Sequence, residues 1–153
     1  MSKYHIHDLV ELKEILFHDF QIINKMRSPE PNKIKLLSTL FSINPNSWRV
    51  VGISSDALEI FEKNGFKKKS GMRINRSHIT QRFSFYKSLL EKNTDIEDSE
   101  TFWNLYYEND MTILASASEN MSYDQSIFEN AYVVPQDERK LFQTSGYAWK
   151  HRD

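Results

Sequence analysis

The chemistry this chain could carry centres on His78, in the run Asn75-Arg76-Ser77-His78-Ile79-Thr80-Gln81-Arg82. An imidazole titrates near neutrality, so a neutral one set among phosphate-binding cations suits removal of a proton from water in phosphodiester hydrolysis. The cations are close in sequence. Between Lys63 and Leu90 stand eight basic residues, Lys63, Lys67, Lys68, Lys69, Arg73, Arg76, Arg82 and Lys87, and no acidic one. From Glu91 to Asn130 there are ten acidic residues and one basic. The net charge of -1 conceals this split. A dense cationic window is the footprint of a polyanion-binding surface. Its plain alternative is a solvated face balanced by the acidic segment that follows. A helix starting just after His78 would add backbone amides favourable to an anion.

A second segment, Asn109-Asp110-Met111-Thr112-Ile113-Leu114-Ala115-Ser116-Ala117-Ser118-Glu119-Asn120, reads as a turn, an apolar strand and the start of a polar helix. A histidine followed by Ile, then an Asn/Asp turn, a strand containing Ile113-Leu114 and a later Asn resembles the HNH nucleases of the ββα-metal (His-Me finger) type. The resemblance implies that His78 ends a strand and acts as general base. Asn109 or Asp110 would brace the loop between two strands, and Asn120, on the helix, would bind a divalent metal, magnesium or manganese. Arg76 or Arg82 would clamp a phosphate oxygen. Lys67, Lys68, Lys69, Arg73 and Lys87 would hold the nucleic-acid backbone, a sequence-independent and salt-sensitive contribution. Three positions depart from the family pattern. Ser77 stands where Asp or His often ligates the metal, Gln81 replaces a Pro, and the stretch from His78 to Asn109 is long enough for a helical insertion. A missing carboxylate ligand would have to come from Glu119, Asp110 or Asp124.

The elements that must position these groups are legible from periodicity. Leu9, Leu12, Leu16, Phe20 and Ile23 recur at steps of three and four, which predicts a helix from about His7 to Met26, closed by Arg27-Ser28-Pro29. Ile34, Leu37, Leu40 and Phe41 predict a second helix after Pro31, ended by Asn44-Pro45-Asn46. These two would form a hairpin and the natural contact of a homodimer. Trp48 to Ile53 reads as a strand. A short helix follows, with Asp56 and Glu59 at capping-box spacing and Gly65 as its left-handed stop. Further expected elements are a strand through Met72 to Asn75, a helix from Thr80 to Lys92 with the stripe Phe83, Tyr86, Leu89 and Leu90, and a helix capped by Asp98 or Ser99. Strands are expected over Met111 to Ala117, Ala131 to Val134 and Gly146 to Lys150. The fold class is α+β, with an N-terminal helical hairpin over 1–46 and an α+β core over 47–153. The core would be ββα-metal-like, carrying a helical insertion and joined to the hairpin in one compact domain.

Composition narrows the rest. With 153 residues, 39% apolar and 13% aromatic, the chain can bury a core. Zero cysteines exclude disulfides, zinc–thiolate sites and thiol chemistry. No apolar run is long enough to span a membrane, and Met1 to Asp8 lacks the apolar core of a leader, so a cytoplasmic protein is expected. No Walker A, dinucleotide-binding or nucleophile-elbow pattern is present. Glu11-Leu12-Lys13 is a Glu-x-Lys with Asp8 too close ahead of it for a carboxylate-plus-lysine nuclease. Trp103, Tyr106 and Tyr107 read as core residues of a helix rather than a base-stacking platform. His5 and His7 do not share a helix face. Trp149-Lys150-His151-Arg152 forms a second small basic and aromatic group. The leading expectation is a magnesium-dependent DNA endonuclease hydrolysing phosphodiester bonds, of restriction type. The alternatives are a non-catalytic nucleic-acid-binding or regulatory module, and an interaction domain in which the basic segment meets the acidic one.

Overall fold

The computed structural model describes residues 9–42 and 48–122. The expected strands at 131–134 and 146–150, the group at 149–152, Asp124, His5 and His7 lie outside these residues. The chain is α+β and divides into two units, 1–47 with 80–110 and 48–79 with 111–153. This differs from a division at residue 46/47 alone. The segment between the two strands of the expected finger joins the N-terminal helices, because its apolar faces complete their core.

The first unit is helical. Helix α1 (Leu9–Lys25) packs on α2 (Glu30–Ser42) and on α5 (Ser99–Asn109), and α2 packs on α4 (Arg82–Glu91). Its centre is aromatic. Phe41 is fully buried and stacks on Tyr106 at 4.4 Å, Tyr86 at 5.4 Å and Phe102 at 5.9 Å between ring centroids. Offset stacking of this kind adds to simple area burial. Asp98 caps α5, its Oδ1 accepting from Thr101 N at 2.7 Å, as its sequence position suggested. That N–H bond holds the Asp98 carboxyl below its ordinary range. Helix α4 buries Phe85, Tyr86, Leu89 and Leu90, whereas Phe83, placed on the stripe by the sequence pattern, is 59% exposed. Both phenylalanines flank Ser84. The helix begins at Arg82 rather than Thr80, and packing against α2 selects Phe85.

The second unit carries the sheet. Its strands β1 (Arg49–Ile53), β2 (Ile74–His78) and β3 (Met111–Ser116) lie in the order β1-β3-β2, with β1 parallel and β2 antiparallel to β3. Val50, Ile53, Ile74 and Leu114 pack with Ala57 and Phe61 of α3 (Ser55–Lys63) on one face. The N-cap of α3 is Ser54, whose Oγ accepts from Ala57 N at 3.1 Å, and not the Asp56–Glu59 pair. The cause is β1, whose pairing continues through Ser54 N to Leu114 O at 2.9 Å and so fixes where the helix can start. The C-terminus of α3 is a Schellman closure. Gly65 N donates to Glu62 O and Phe66 N to Phe61 O, with Gly65 at φ 62. A last helix, α6 (Ala117–Ser122), follows β3 and packs on β2 and β3.

Candidate nucleic-acid site

His78 is the last residue of β2, which starts two residues later and ends three residues later than the expected Met72 to Asn75. Strand alternation sets what it faces. Ile74, Arg76 and His78 share one face with Ser116, Leu114 and Thr112, their partners across the ladder. Asn75 and Ser77 share the other face with Ala115 and Ile113. The His78 ring is half-buried and meets the indole of Trp48 edge-on, at 4.8 Å between centroids and 77° between planes. Trp48 has φ 59, a left-handed conformation that costs a bulky residue on the order of 1–3 kcal/mol. Its carbonyl accepts from Arg76 Nη1 at 3.3 Å and lies 3.4 Å from Thr112 Oγ1, which bonds more closely to Arg49 O at 2.9 Å.

Asn120 sits on α6, and its Oδ1 accepts a hydrogen bond from Ser77 Oγ. The structure therefore brings Asn120 to the residue preceding His78. His78 itself leaves the strand on the opposite face, as neighbouring residues of a strand must. Helix α6 is placed for this contact by a capping box at Ser116-Ala117-Ser118-Glu119. Glu119 N donates to Ser116 Oγ at 3.3 Å, while Glu119 Oε2 accepts from Ser116 N at 2.8 Å and from Ser54 Oγ at 2.6 Å. The Glu119 carboxylate thus ties the ends of β1 and β3 together. The Ser-x-x-Glu spacing was readable in the sequence and marks this cap. Trp48 had no such mark, because a left-handed position is announced by Gly or Asn and not by Trp.

The other candidates are distributed. Lys67, Lys68, Lys69 and Arg73 are exposed on the connection between α3 and β2, which turns at Gly71 with φ 85. Lys63 is paired with Glu59 at 2.5 Å. Arg82 and Lys87 belong to α4 of the first unit, Lys87 lying 3.9 Å from Glu91. The basic window is thus cut by the unit boundary at 79/80. Asn109 and Asp110 also belong to the first unit. Asn109 Nδ2 donates to Leu105 O at 2.8 Å within its own helix, and Asp110 Oδ2 accepts from Tyr106 OH at 2.9 Å. Asn109 further lines a cleft of about 230 Å³ with Thr80, Ser84 and Lys92.

Among the described residues no three His, Cys, Asp or Glu side chains converge on a point that could hold a metal ion. Ser77 Oγ and Asn120 Oδ1 are oxygen donors of the hard type magnesium takes, but both are neutral. Magnesium is usually held through one or two carboxylates together with water and phosphate. The nearest carboxylate in sequence, Glu119, is engaged by Ser54 and Ser116. The described side chains do not by themselves amount to a magnesium site.

No family model, curated protein or solved structure matches this chain. Among the described residues no helix is long and apolar enough to cross a membrane.

Proposed function

We propose that this protein is a DNA endonuclease of HNH-like design, with β2, β3 and α6 as its catalytic unit. One observation carries the reading, the hydrogen bond between Ser77 and Asn120. In the HNH pattern the residue before the base and a residue of the helix after the second strand share one task, holding the metal, so they must touch. Here the two residues at those positions do touch, on the face of β2 opposite the one that His78 leaves from. Supporting it, His78 ends its strand, and the order strand, strand, helix is the order the resemblance calls for, with the helices between the two strands as a departure from it.

In this reading His78 takes the proton from the attacking water. Arg76, two residues earlier on the same face, clamps a phosphate oxygen. Lys67, Lys68, Lys69 and Arg73 hold the backbone of the duplex without reading its sequence. A second reading has one observation in its favour. The neutral Ser77–Asn120 pair suits a nucleic-acid-binding module that cuts nothing.

Supercoiled plasmid incubated with the purified protein in magnesium, manganese or chelator decides between them. The expected result is nicking by the parent and a loss of about 100- to 10,000-fold in His78→Ala, the range typical of a missing general base. Retardation of DNA in a gel with no cutting by the parent would establish the binding module instead. Equal cutting by parent and variant would remove His78 from the mechanism.

A further inference from the structure

We infer that Trp48 is the positioning residue of His78: its indole sets the orientation of the imidazole, and its strained backbone is the support that keeps it there. The inference deepens the endonuclease reading and takes its catalytic meaning from it. A left-handed residue costs least as Gly or Asn. A Trp at φ 59 therefore points to a use for the indole, and an outlier of this kind is a sound starting point for a functional hypothesis. The use is visible in the edge-on contact with His78 at 4.8 Å.

The surroundings agree. The neighbours of His78 on its own face are Arg76 along the strand and Thr112 across the ladder. Both turn towards the Trp48 carbonyl, Arg76 Nη1 at 3.3 Å and Thr112 Oγ1 at 3.4 Å. The groups that flank the imidazole thus also hold the residue whose ring packs on it. Trp48 therefore touches the candidate base through its ring and the candidate phosphate clamp through its carbonyl. A general base misplaced by about 1 Å can lose on the order of 100-fold in rate, so such a support is worth its strain.

The test compares Trp48→Gly and Trp48→Phe with the parent, in the full chain. Gly relieves the backbone and removes the ring; Phe keeps a ring. Trp48→Gly is expected to melt at or above the parent temperature, yet to cleave plasmid about 10- to 100-fold more slowly at saturating DNA, with KM little changed. Trp48→Phe is expected to recover most of that rate. A merely structural residue would lose rate and melting temperature together, and that pattern would overturn the assignment. A second readout is independent of cleavage. In NMR spectra the His78 ring protons are expected to show nuclear Overhauser contacts to the residue 48 ring in the parent and in Trp48→Phe. In Trp48→Gly their shifts are expected to move by the lost ring current. Unchanged His78 shifts in Trp48→Gly would overturn the inference even if the parent cuts. A parent that cuts nothing but shows these contacts and shifts would remove the endonuclease reading and leave the positioning of His78 by Trp48 standing.

Discussion

At the scale of single residues, one ionisable group with a large displacement belongs to the first unit. Burial in the aromatic centre of the first unit pushes the Tyr86 hydroxyl up to about 12, with the Asp110 carboxylate adding to the rise and Arg82 opposing it. A raised folded-state pKa favours the protonated form. The stabilisation is therefore complete below the ordinary tyrosine value of about 10 and is lost as pH climbs towards 12. Urea midpoints measured from pH 8 upward are expected to fall for the parent above about pH 10. Tyr86→Phe, which has no proton to lose, is expected to show a shallower fall, starting from a lower midpoint because its hydrogen bond with Ser38 is gone. The residue scale is also where the sequence was most informative about chemistry and least informative about conformation. His78, Ser77 and Asn120 could be singled out because their types and order carry meaning. The orientation of Trp48 could not, since nothing in a Trp side chain signals a positive φ.

At the scale of elements, α6 is the piece on which the candidate site depends. It has six residues, too few for a helix to persist in water without tertiary support. Its start is held by the reciprocal bonds of Ser116 and Glu119 and by the Ser54 hydroxyl. Removing the Glu119 carboxylate should cost about 0.5–2 kcal/mol, the usual size of a lost cap. It should also release Asn120 from Ser77. Glu119→Ala is accordingly expected to lower the urea midpoint modestly and plasmid cleavage more steeply. Glu119→Gln, whose amide oxygen can still accept both bonds, is expected to retain most of both.

Elements with a clear period could be read from sequence, α1, α2, α5 and β3 among them, with ends within about two residues. Elements whose limits are set by distant partners were read less well. The start of α3 follows from the pairing of β1 with β3, and three consecutive residues, Ser54, Ser55 and Asp56, are all competent caps. The buried face of α4 follows from α2, which decides between Phe83 and Phe85.

At the scale of the whole molecule, two cores serve two units, and each can be probed alone. Phe41 contacts four other buried rings in the first unit, those of Phe85, Tyr86, Phe102 and Tyr106. Phe41→Ala is expected to destabilise that unit by about 3–5 kcal/mol, the range for a large aromatic removed from a packed interior. Trp103, buried in the same cluster, provides the fluorescence signal. A loss under 1 kcal/mol would mean that the cluster collapses around the gap. The parallel partnership of β1 and β3 had no counterpart in the sequence reading. Strand patterns reveal which residues alternate, not which distant strand they will join.

That partnership has a consequence for the order in which the protein can be made. The centre of the sheet is β3, and both β1 and β2 pair with it rather than with each other. It is also the last of the three strands to leave the ribosome. Until it emerges, after all of α4 and α5, β1 and β2 have no neighbour in this sheet to take up their hydrogen bonds. The helical unit is complete in sequence by Asp110, one residue before β3 begins. Synthesis therefore delivers a finished helical body first, then a single strand that closes the sheet and, with the helix behind it, carries Asn120 to Ser77. A chain interrupted between Leu90 and the start of β3 holds the whole basic window and the histidine but has neither this sheet nor this site.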